Sequence, residues 1–517
     1  MLKRNLSWIL LLYALIYGVA AFLIFHNLSD RLMWGDEAAT ALVAKTIQHY
    51  GLPHNSDGKN LIAEEPSGRT SGNENGVWIW DTWLAYYLTA LSFQLFGATT
   101  FAARLPFALA ALFAVLLVRP AALSFYKEEK VAVIATILLI GCVPFLLHAR
   151  QCRYYSLATF TTLWMLYGYN RLVFEKRAGG SLHFALASIL QFHSHLICFL
   201  GNMAAIGIHS FVFFLRNRHS FRLLASDYLS IAAATFPWIL FSGLLGRSSS
   251  MRLGRSLDVL AFYGSQINFY IVPFGIFIVP FLYLAAKRKP LREWIPSEKT
   301  LLLMGIVLSH LVVLSMFQMI YFRYLMGVLP ILLILEAHIV AKYVPRRLPQ
   351  YGLVVVLAGT NLFNILSLYS LRSDHKIRSP IVEFAREITS AYEDKFGDIL
   401  SFLKHNAKAN ESIATYDIEF ALMFYTNMEV IDARYPQNYA RVANADWILS
   451  ESASGVIRYQ PNVILSVPDK MLPYYKVYEI EVRDTPLGAS RPDPDCHYGF
   501  TINTTKKMKI YHRLASS

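Results

Sequence analysis

Only four cysteines occur among the 517 residues, Cys142, Cys152, Cys198 and Cys496, and their spacing fits neither metal-ligand pairs nor a dense disulfide framework. Three of them fall in or beside apolar runs, as packing residues do. Charged residues are scarce as well, at 16% of the chain. No glycine-rich nucleotide loop, internal repeat or coiled-coil heptad is present, which excludes a motif-built nucleotide site and a solenoid. The net charge of +13 suggests a nucleic-acid partner until its placement is examined. Most of the Lys and Arg lie in short loops between apolar runs, which argues against a nucleic-acid partner. What the chain has in quantity is apolar surface: 55% hydrophobic and 14% aromatic residues, with a mean hydropathy of +0.38. That is the composition of a polytopic membrane protein.

Leu6 to Phe25 is an apolar run of about twenty residues, enough to cross a bilayer, and Lys3 and Arg4 hold its start in the cytoplasm. It continues well past a signal-type core around Gly18-Val19-Ala20, so it reads as an uncleaved anchor. Ten further runs follow, at about 104–120, 131–147, 156–174, 182–192, 196–215, 225–245, 259–286, 300–320, 324–341 and 351–370. With alternating sides, the cytoplasmic loops collect nineteen Lys and Arg. The short outer loops hold six: Arg150, Arg153, Arg247, Arg252, Arg255 and Arg323. This bias fits eleven spans with the N-terminus inside and the C-terminus outside. Val77 to Phe96 is long enough to cross, but a crossing there would invert the bias. Its Trp78, Trp80, Trp83, Tyr86 and Tyr87 suit an interfacial helix at the outer headgroups, with Asp81 on its wet face.

The expected architecture is therefore an all-α polytopic bundle of about eleven transmembrane helices plus outer interfacial helices, over residues 1–370. It includes a large first outer loop at 26–103, whose Gly/Asn/Ser-rich section Asn55 to Gly76 reads as mobile. From Leu371 the composition becomes that of a soluble domain. Ile381 to Asn406 reads as an amphipathic helix, and Ser412–Tyr416, Val430–Asp432, Trp447–Ser450 and Val477–Val482 read as strands. Residues 371–517 thus form a small extracytoplasmic α/β domain.

Chemistry gathers at the outer ends of the spans. Met33-Trp34-Gly35-Asp36-Glu37-Ala38-Ala39-Thr40 places an acidic pair just past the first span, with Asp36 where the N-cap of a short helix would sit. A plain cap is one reading of that carboxylate. Against the inward bias, Arg150 and Arg153 lie in His148 to Tyr155 and Arg323 lies in Tyr321-Phe322-Arg323-Tyr324, while Arg104 opens the second span. Guanidinium groups at that depth need partners, and a phosphate is gripped bidentately. Snorkelling to ordinary headgroups is the competing reading for each one singly. His193-Ser194-His195 falls at an outer turn. It offers metal binding with Asp36 or Glu37, hydrogen bonding toward phosphate or sugar, or simple interfacial polarity. These parts meet the needs of glycosyl transfer from a polyprenyl phosphate: an ionised carboxylate to deprotonate an acceptor, cations to take charge from the departing phosphate, and apolar grooves for the isoprenoid tail. One base without a second carboxylate nucleophile favours inversion.

In this arrangement the sequence resembles the lipid-phosphate-sugar-dependent glycosyltransferases of the GT-C fold, among them protein O-mannosyltransferases and the aminoarabinose transferases that modify lipid A. The resemblance covers roughly residues 1–345. It rests on Gly35-Asp36-Glu37-Ala38, on Leu95-Phe96-Gly97 through Ala103-Arg104-Leu105-Pro106, on His148 to Tyr155, on Phe192-His193-Ser194-His195, and on Arg323-Tyr324 to Pro330, in that order. The resemblance implies Asp36 as general base, Glu37 assisting or binding metal, and Arg104, Arg150, Arg153 and Arg323 with Tyr154 and Tyr324 on the donor phosphate. His193, His195 and Asp81 are the expected substrate contacts, and Asp36, Glu37, His193 and His195 a possible metal set. No cofactor is required and a divalent metal is possible. The chain departs from the family where Asn75-Gly76-Val77-Trp78 replaces the usual Pro-Pro-Leu, and where Ser194 and Leu196 replace the Thr and Tyr of the histidine turn.

The implied activity is inverting transfer of a sugar from a dolichyl- or undecaprenyl-phosphate donor to an acceptor hydroxyl or phosphate, the acceptor being lipid, glycan or protein. A bacterial plasma membrane suits it better than the endoplasmic reticulum, where sequons at Asn27, Asn410 and Asn503 would matter. A flippase or transporter of polyprenyl-linked sugars is the alternative, although transporters tend to show repeated halves and midplane polar residues. An oligosaccharyl- or polymerase-type enzyme on a pyrophosphate carrier is a third reading.

Overall fold

The computed structural model describes residues 2–64, 71–177, 179–216, 221–246, 256–317, 320–367, 376–391, 393–416, 418–433, 438–449, 469–484 and 504–514. Arg247, Arg252, Arg255, Leu371, Ser450, Cys496 and Asn503, named above, lie outside the described residues.

Among the described residues, twenty α-helices and five strands follow in chain order. The first four are α1 (Leu2–Phe25), α2 (Gly35–Tyr50), α3 (Leu84–Phe96) and α4 (Thr100–Tyr126). Next come α5 (Glu129–Gly141), α6 (Val143–Ala149), α7 (Tyr155–Val173), α8 (Gly179–Ser194), α9 (Leu196–Arg216) and α10 (Phe221–Phe241). They are followed by α11 (Ser256–Tyr270), α12 (Val279–Ala286), α13 (Glu298–Ser315), α14 (Leu329–Tyr343), α15 (Arg347–Gly359) and α16 (Leu362–Ser367). The last helices, α17 (Pro380–Thr389), α18 (Lys395–Asn406), α19 (Glu419–Tyr425) and α20 (Tyr439–Val442), alternate with β1 (Ser412–Thr415), β2 (Glu429–Asp432) and β3 (Trp447–Leu449). The chain ends with β4 (Tyr475–Arg483) and β5 (Thr505–Arg513).

These elements form two compact units. One comprises Met1–His26, Phe107–Arg150 and Tyr154–Arg386; the other comprises Asn27–Pro106, Gln151–Arg153 and Glu387–Ser517. The second unit thus combines residues 27–106 with the C-terminal residues.

The first unit is the apolar bundle. Among the described residues, five helices are long and apolar enough to cross a membrane: α1, α4, α9, α10 and α13. The bent pairs α5 with α6 and α11 with the turn and helix over 274–286 raise this to seven if each is one span. Helices α8 and α14 have 16 and 15 residues and fall short of the length taken for a span. The run at 131–147 breaks by 66° where Pro144 removes a backbone donor, and the run at 259–286 bends by 92° ahead of Pro273. Small residues set the closest helix approaches. A Cβ on Gly168 of α7 would lie 2.4 Å from the Phe184 backbone nitrogen of α8, and one on Gly180 would lie 2.4 Å from that of Leu172. Such stripes let helices approach where burial in lipid supplies no hydrophobic drive.

The second unit carries a five-stranded sheet in the order β2-β1-β3-β5-β4. Strands β1, β2 and β3 pair in parallel, with Ala414 opposite both Ile431 and Ile448, whereas β5 runs antiparallel to β3 and β4. Strand β5 carries Lys506, Lys507 and Lys509 and escapes a hydrophobic-run search. The expected helix at 381–406 is two helices, α17 and α18, with Asp394 capping the second through Gly397 N–H at 2.7 Å.

The first loop packs α2 against α3 and α19 within this unit. Its helix α3 is 13 residues long, shorter than a span, and residues 77–83 ahead of it are not helical: Val77 bridges His54 and Trp78 bridges Gly72. The described part of Asn55 to Gly76 is tied down. Asn55 N–H donates to Gly76 O at 2.9 Å, Ile62 N–H donates to Asn55 O at 2.7 Å, and the Asp57 carboxylate accepts the Asn60 amide at 2.6 Å. Residues 65–70 of that stretch are outside the described residues.

Candidate functional site

In the second unit, Asp36 is the second residue of α2, not its cap. Trp34 holds the cap position and makes no side-chain cap bond. Both acids therefore sit in the first turn, where the positive end of the helix dipole favours them. Their surroundings separate them.

Glu37 is wholly buried. Its Oε1 accepts Arg104 Nε at 2.8 Å and the Cys152 backbone N–H at 2.7 Å, and its Oε2 accepts Arg104 Nη2 at 2.8 Å. Arg104 donates through Nη1 to Leu28 O and Arg31 O, both at 2.9 Å, and through Nη2 to Leu32 O at 3.5 Å. All five guanidinium hydrogens thus have acceptors within the protein. Arg104, expected on a donor phosphate, spends its donors on Glu37 and on the irregular segment that leads into α2. Glu37, expected to assist or bind metal, has both oxygens committed to these bonds.

Asp36 keeps its side chain 22% exposed, with Oδ2 3.8 Å from Arg153 Nη2. Arg153 Nη1 donates to Asp36 O at 3.2 Å and to Thr40 Oγ1 at 2.9 Å, which fixes the guanidinium along the first turn of α2. Trp34 Nε1 donates to Gln151 Oε1 at 2.6 Å, so Gln151, Cys152 and Arg153 are all tied to the start of α2. Asp81 does not stand on a wet face. It is half-buried, and its Oδ1 accepts Trp78 Nε1 at 3.0 Å and the Tyr86 hydroxyl. Burial pushes the Asp81 carboxyl above the usual carboxylate range, against the pull of Arg153 and of its two donors. Burial and the Asp81 charge together raise the Tyr86 phenol. The Cys152 thiol is pushed up by burial and by Glu37, which keeps it an inert packing group.

In the first unit, the remaining expected residues divide. Arg150 Nη1 donates to Leu23 O, Ile24 O and His26 O at 3.3, 3.0 and 2.7 Å, capping the C-terminal end of α1. The two histidines separate. His193 ends α8 with Nε2 3.3 Å from Ala234 O. His195 lies at the break between α8 and α9, where its Nδ1 accepts Cys198 N–H at 3.2 Å and so caps α9. Around the His195 ring stand Tyr154, Tyr155 and Tyr324, with centroids at 5.0, 5.8 and 5.8 Å. Arg323 lies over the Tyr321 ring at 4.0 Å, on a 3-10 turn over Phe322–Gly327 that His310 anchors through Tyr324 O at 2.8 Å. Tyr154, His195, Arg323 and Tyr324 therefore belong to one aromatic, cation-bearing cluster, and His193 does not.

Sequence reasoning passed over His148, although it opens one of the quoted motifs. It is fully buried, neither ring nitrogen has a hydrogen-bond partner among the described residues, and its ring lies 5.0 Å from that of Tyr155, whose hydroxyl also lacks a partner among them. A histidine at the end of an apolar run was the available signal.

Among the described residues, no three His, Cys, Asp or Glu side chains gather as metal ligands.

No family model and no curated protein matches the sequence. Solved structures do. The crystal structure of ArnT from Cupriavidus metallidurans bound to undecaprenyl phosphate matches with a TM-score of 0.55 at 16% identity, over 82% of this chain and 86% of that one. The archaeal oligosaccharyltransferase AglB from Archaeoglobus fulgidus, in complex with an inhibitory peptide and a dolichol-phosphate, matches with a TM-score of 0.47 at 13% identity, over 86% of this chain and 69% of that one. The apolar helices and the ArnT likeness agree on one conclusion: this chain is an integral membrane protein with the GT-C fold.

Proposed function

We propose that the chain is an inverting glycosyltransferase that takes its sugar from a polyprenyl phosphate and passes it to an acceptor hydroxyl or phosphate at the outer membrane face. The observation that carries this reading is the division of labour in the acidic pair. Glu37 is locked to Arg104, while Asp36 stays partly exposed, set by the Arg153 guanidinium. An ionised carboxylate in that position can accept the proton of an acceptor hydroxyl. The acceptor oxygen then bonds to the anomeric carbon as the carbon–oxygen bond to the lipid phosphate breaks. The electron pair leaves with the polyprenyl phosphate, and configuration inverts. Arg153, in the unit that carries Asp36, is the proposed partner of the developing phosphate charge. Arg104 and Arg150 brace the loops instead. The ArnT structure holding undecaprenyl phosphate supports the donor class, and the outward placement rests on the loop charge bias.

The test is incubation of the purified full-length protein in detergent with a panel of undecaprenyl- and dolichyl-phosphate sugars, with release of polyprenyl phosphate measured. Release from one donor is expected, and Asp36→Asn lowers it by at least about 10³-fold, within the range that loss of a general base reaches with its positioning. Retained turnover in that variant removes Asp36 as base. Lipid-linked sugar crossing a vesicle bilayer without bond cleavage supports a transporter.

A further inference from the structure

The eight residues that lead from α1 into the acidic pair, Asn27 to Trp34, have no regular structure of their own. Their shape is imposed from outside. Arg104 holds the carbonyls of Leu28 and Arg31, Glu387 pairs with the Arg31 side chain at 2.5 Å, and Ile388 O accepts Asn27 Nδ2 at 3.1 Å. A further contact, three residues before Asp36, comes from α19. The Tyr425 hydroxyl accepts the Met33 backbone N–H at 2.9 Å and lies 2.7 Å from Thr100 Oγ1. Thr100 is the first residue of α4, one turn ahead of Arg104. One phenolic oxygen therefore ties the lead-in to Asp36 and Glu37 to the base of the helix that carries their arginine. The attachment is backed by packing: α19 lies along α2, Lys45 sits over the Phe424 ring at 5.5 Å, and the Phe93 and Phe424 rings approach to 6.2 Å.

We infer that Tyr425 is a positioning residue for the acidic pair, so that the C-terminal α/β elements are a working part of the site and not an appended module. A phenol suits the task. It has one proton and two lone pairs, so it can accept from the Met33 amide and still pair with the Thr100 hydroxyl in either direction. Met33 is buried, so without the hydroxyl its amide loses its partner in a place that water does not readily fill. The turn carrying Asp36 is then free to shift, and small misplacements of a reacting group are expensive in rate. The catalytic part of this inference rests on the function proposed above; the structural part does not.

The test uses the full-length protein and three variants, Tyr425→Phe, Thr100→Val and Lys59→Met. Lys59 also joins the first loop to the C-terminal residues, through Ala409 O at 3.0 Å and Asn427 O at 2.6 Å, but touches nothing in the lead-in. Amide hydrogen exchange of the peptide covering residues 30–37 is expected to quicken about tenfold in Tyr425→Phe, less in Thr100→Val and not at all in Lys59→Met. Turnover is expected to fall roughly ten- to a hundredfold in Tyr425→Phe with the donor KM unchanged, and to stay at the parent value in Lys59→Met. Unchanged exchange in Tyr425→Phe overturns the tie itself. Faster exchange with unchanged turnover, or equal losses in Tyr425→Phe and Lys59→Met, overturns the positioning role. If the parent protein releases polyprenyl phosphate from no donor, the functional reading fails and the exchange arm still decides whether Tyr425 holds the acidic pair.

Discussion

Replacing Glu37 by Gln separates a brace from a catalytic acid. The side chain keeps its shape and can still accept the Cys152 N–H, but its NH₂ group now faces Arg104 Nη2, and a buried guanidinium loses its counter-charge. Breaking a buried, hydrogen-bonded ion pair from one side costs about 3–5 kcal/mol. In a unit of roughly 200 residues each kcal/mol moves the unfolding midpoint by about 2–4 °C, so a drop of about 10 °C is expected. The double variant Glu37→Leu/Arg104→Met removes both charges together and should recover half or more of that loss. Full recovery is not expected, because the carbonyls of Leu28, Arg31 and Leu32 also lose their donor. The assay is the thermal unfolding midpoint in detergent at one fixed scan rate, since such unfolding is read as a rate. A midpoint within about 2 °C of the parent in Glu37→Gln, or a double variant as unstable as the sum of its singles, refutes the coupled brace. A double variant that is folded but no longer binds donor lipid returns Arg104 to the phosphate.

Three further outcomes follow from the geometry. Asp81→Asn keeps an oxygen for Trp78 and Tyr86 but removes a charge that burial disfavours. The folded carboxyl titrates above the unfolded one, so the cost is absent at pH below the unfolded value of about 3.9 and complete once pH exceeds the folded value. The variant should gain stability over the parent at neutral pH, and the gain should shrink as pH falls toward 4; a gain that grows on acidification contradicts the assignment. Gly168→Ala drives a methyl into the Phe184 backbone and should cost about 1–3 kcal/mol, seen as a lower midpoint, whereas Gly207→Ala, with nothing within 4 Å of the new Cβ, should be silent. Finally, His195→Ala should lower both stability and turnover, because the ring caps α9 and lies among Tyr154, Tyr155 and Tyr324, while His193→Ala changes turnover less than twofold; equal effects in a turnover and midpoint comparison would restore the paired reading.

The bundle, the acidic pair and the order of the motifs are written in the chain, because twenty apolar residues in a row, a loop arginine or an Asp-Glu step are local properties that need no partner to be recognised. The parallel strands were visible for the same reason, as short β-branched runs, and β5 was not, because its lysines interrupt the apolar pattern and its place in the sheet comes from pairing with β3 and β4. What each polar residue does was decided only by the fold. Asp36 and Glu37 are adjacent and chemically alike, yet one remains partly exposed and the other is consumed by an arginine 67 positions away. Arg104 and Arg153 are equally basic, but the first spends every donor on neighbours the sequence gives no hint of, and the second is turned toward Asp36. His193 and His195 part because a helix ends between them, and Tyr425, 392 residues from the amide it holds, enters the site through α19 alone. Hydrogen-bond saturation is a property of three-dimensional neighbours, and availability for chemistry is what remains after those neighbours have been served.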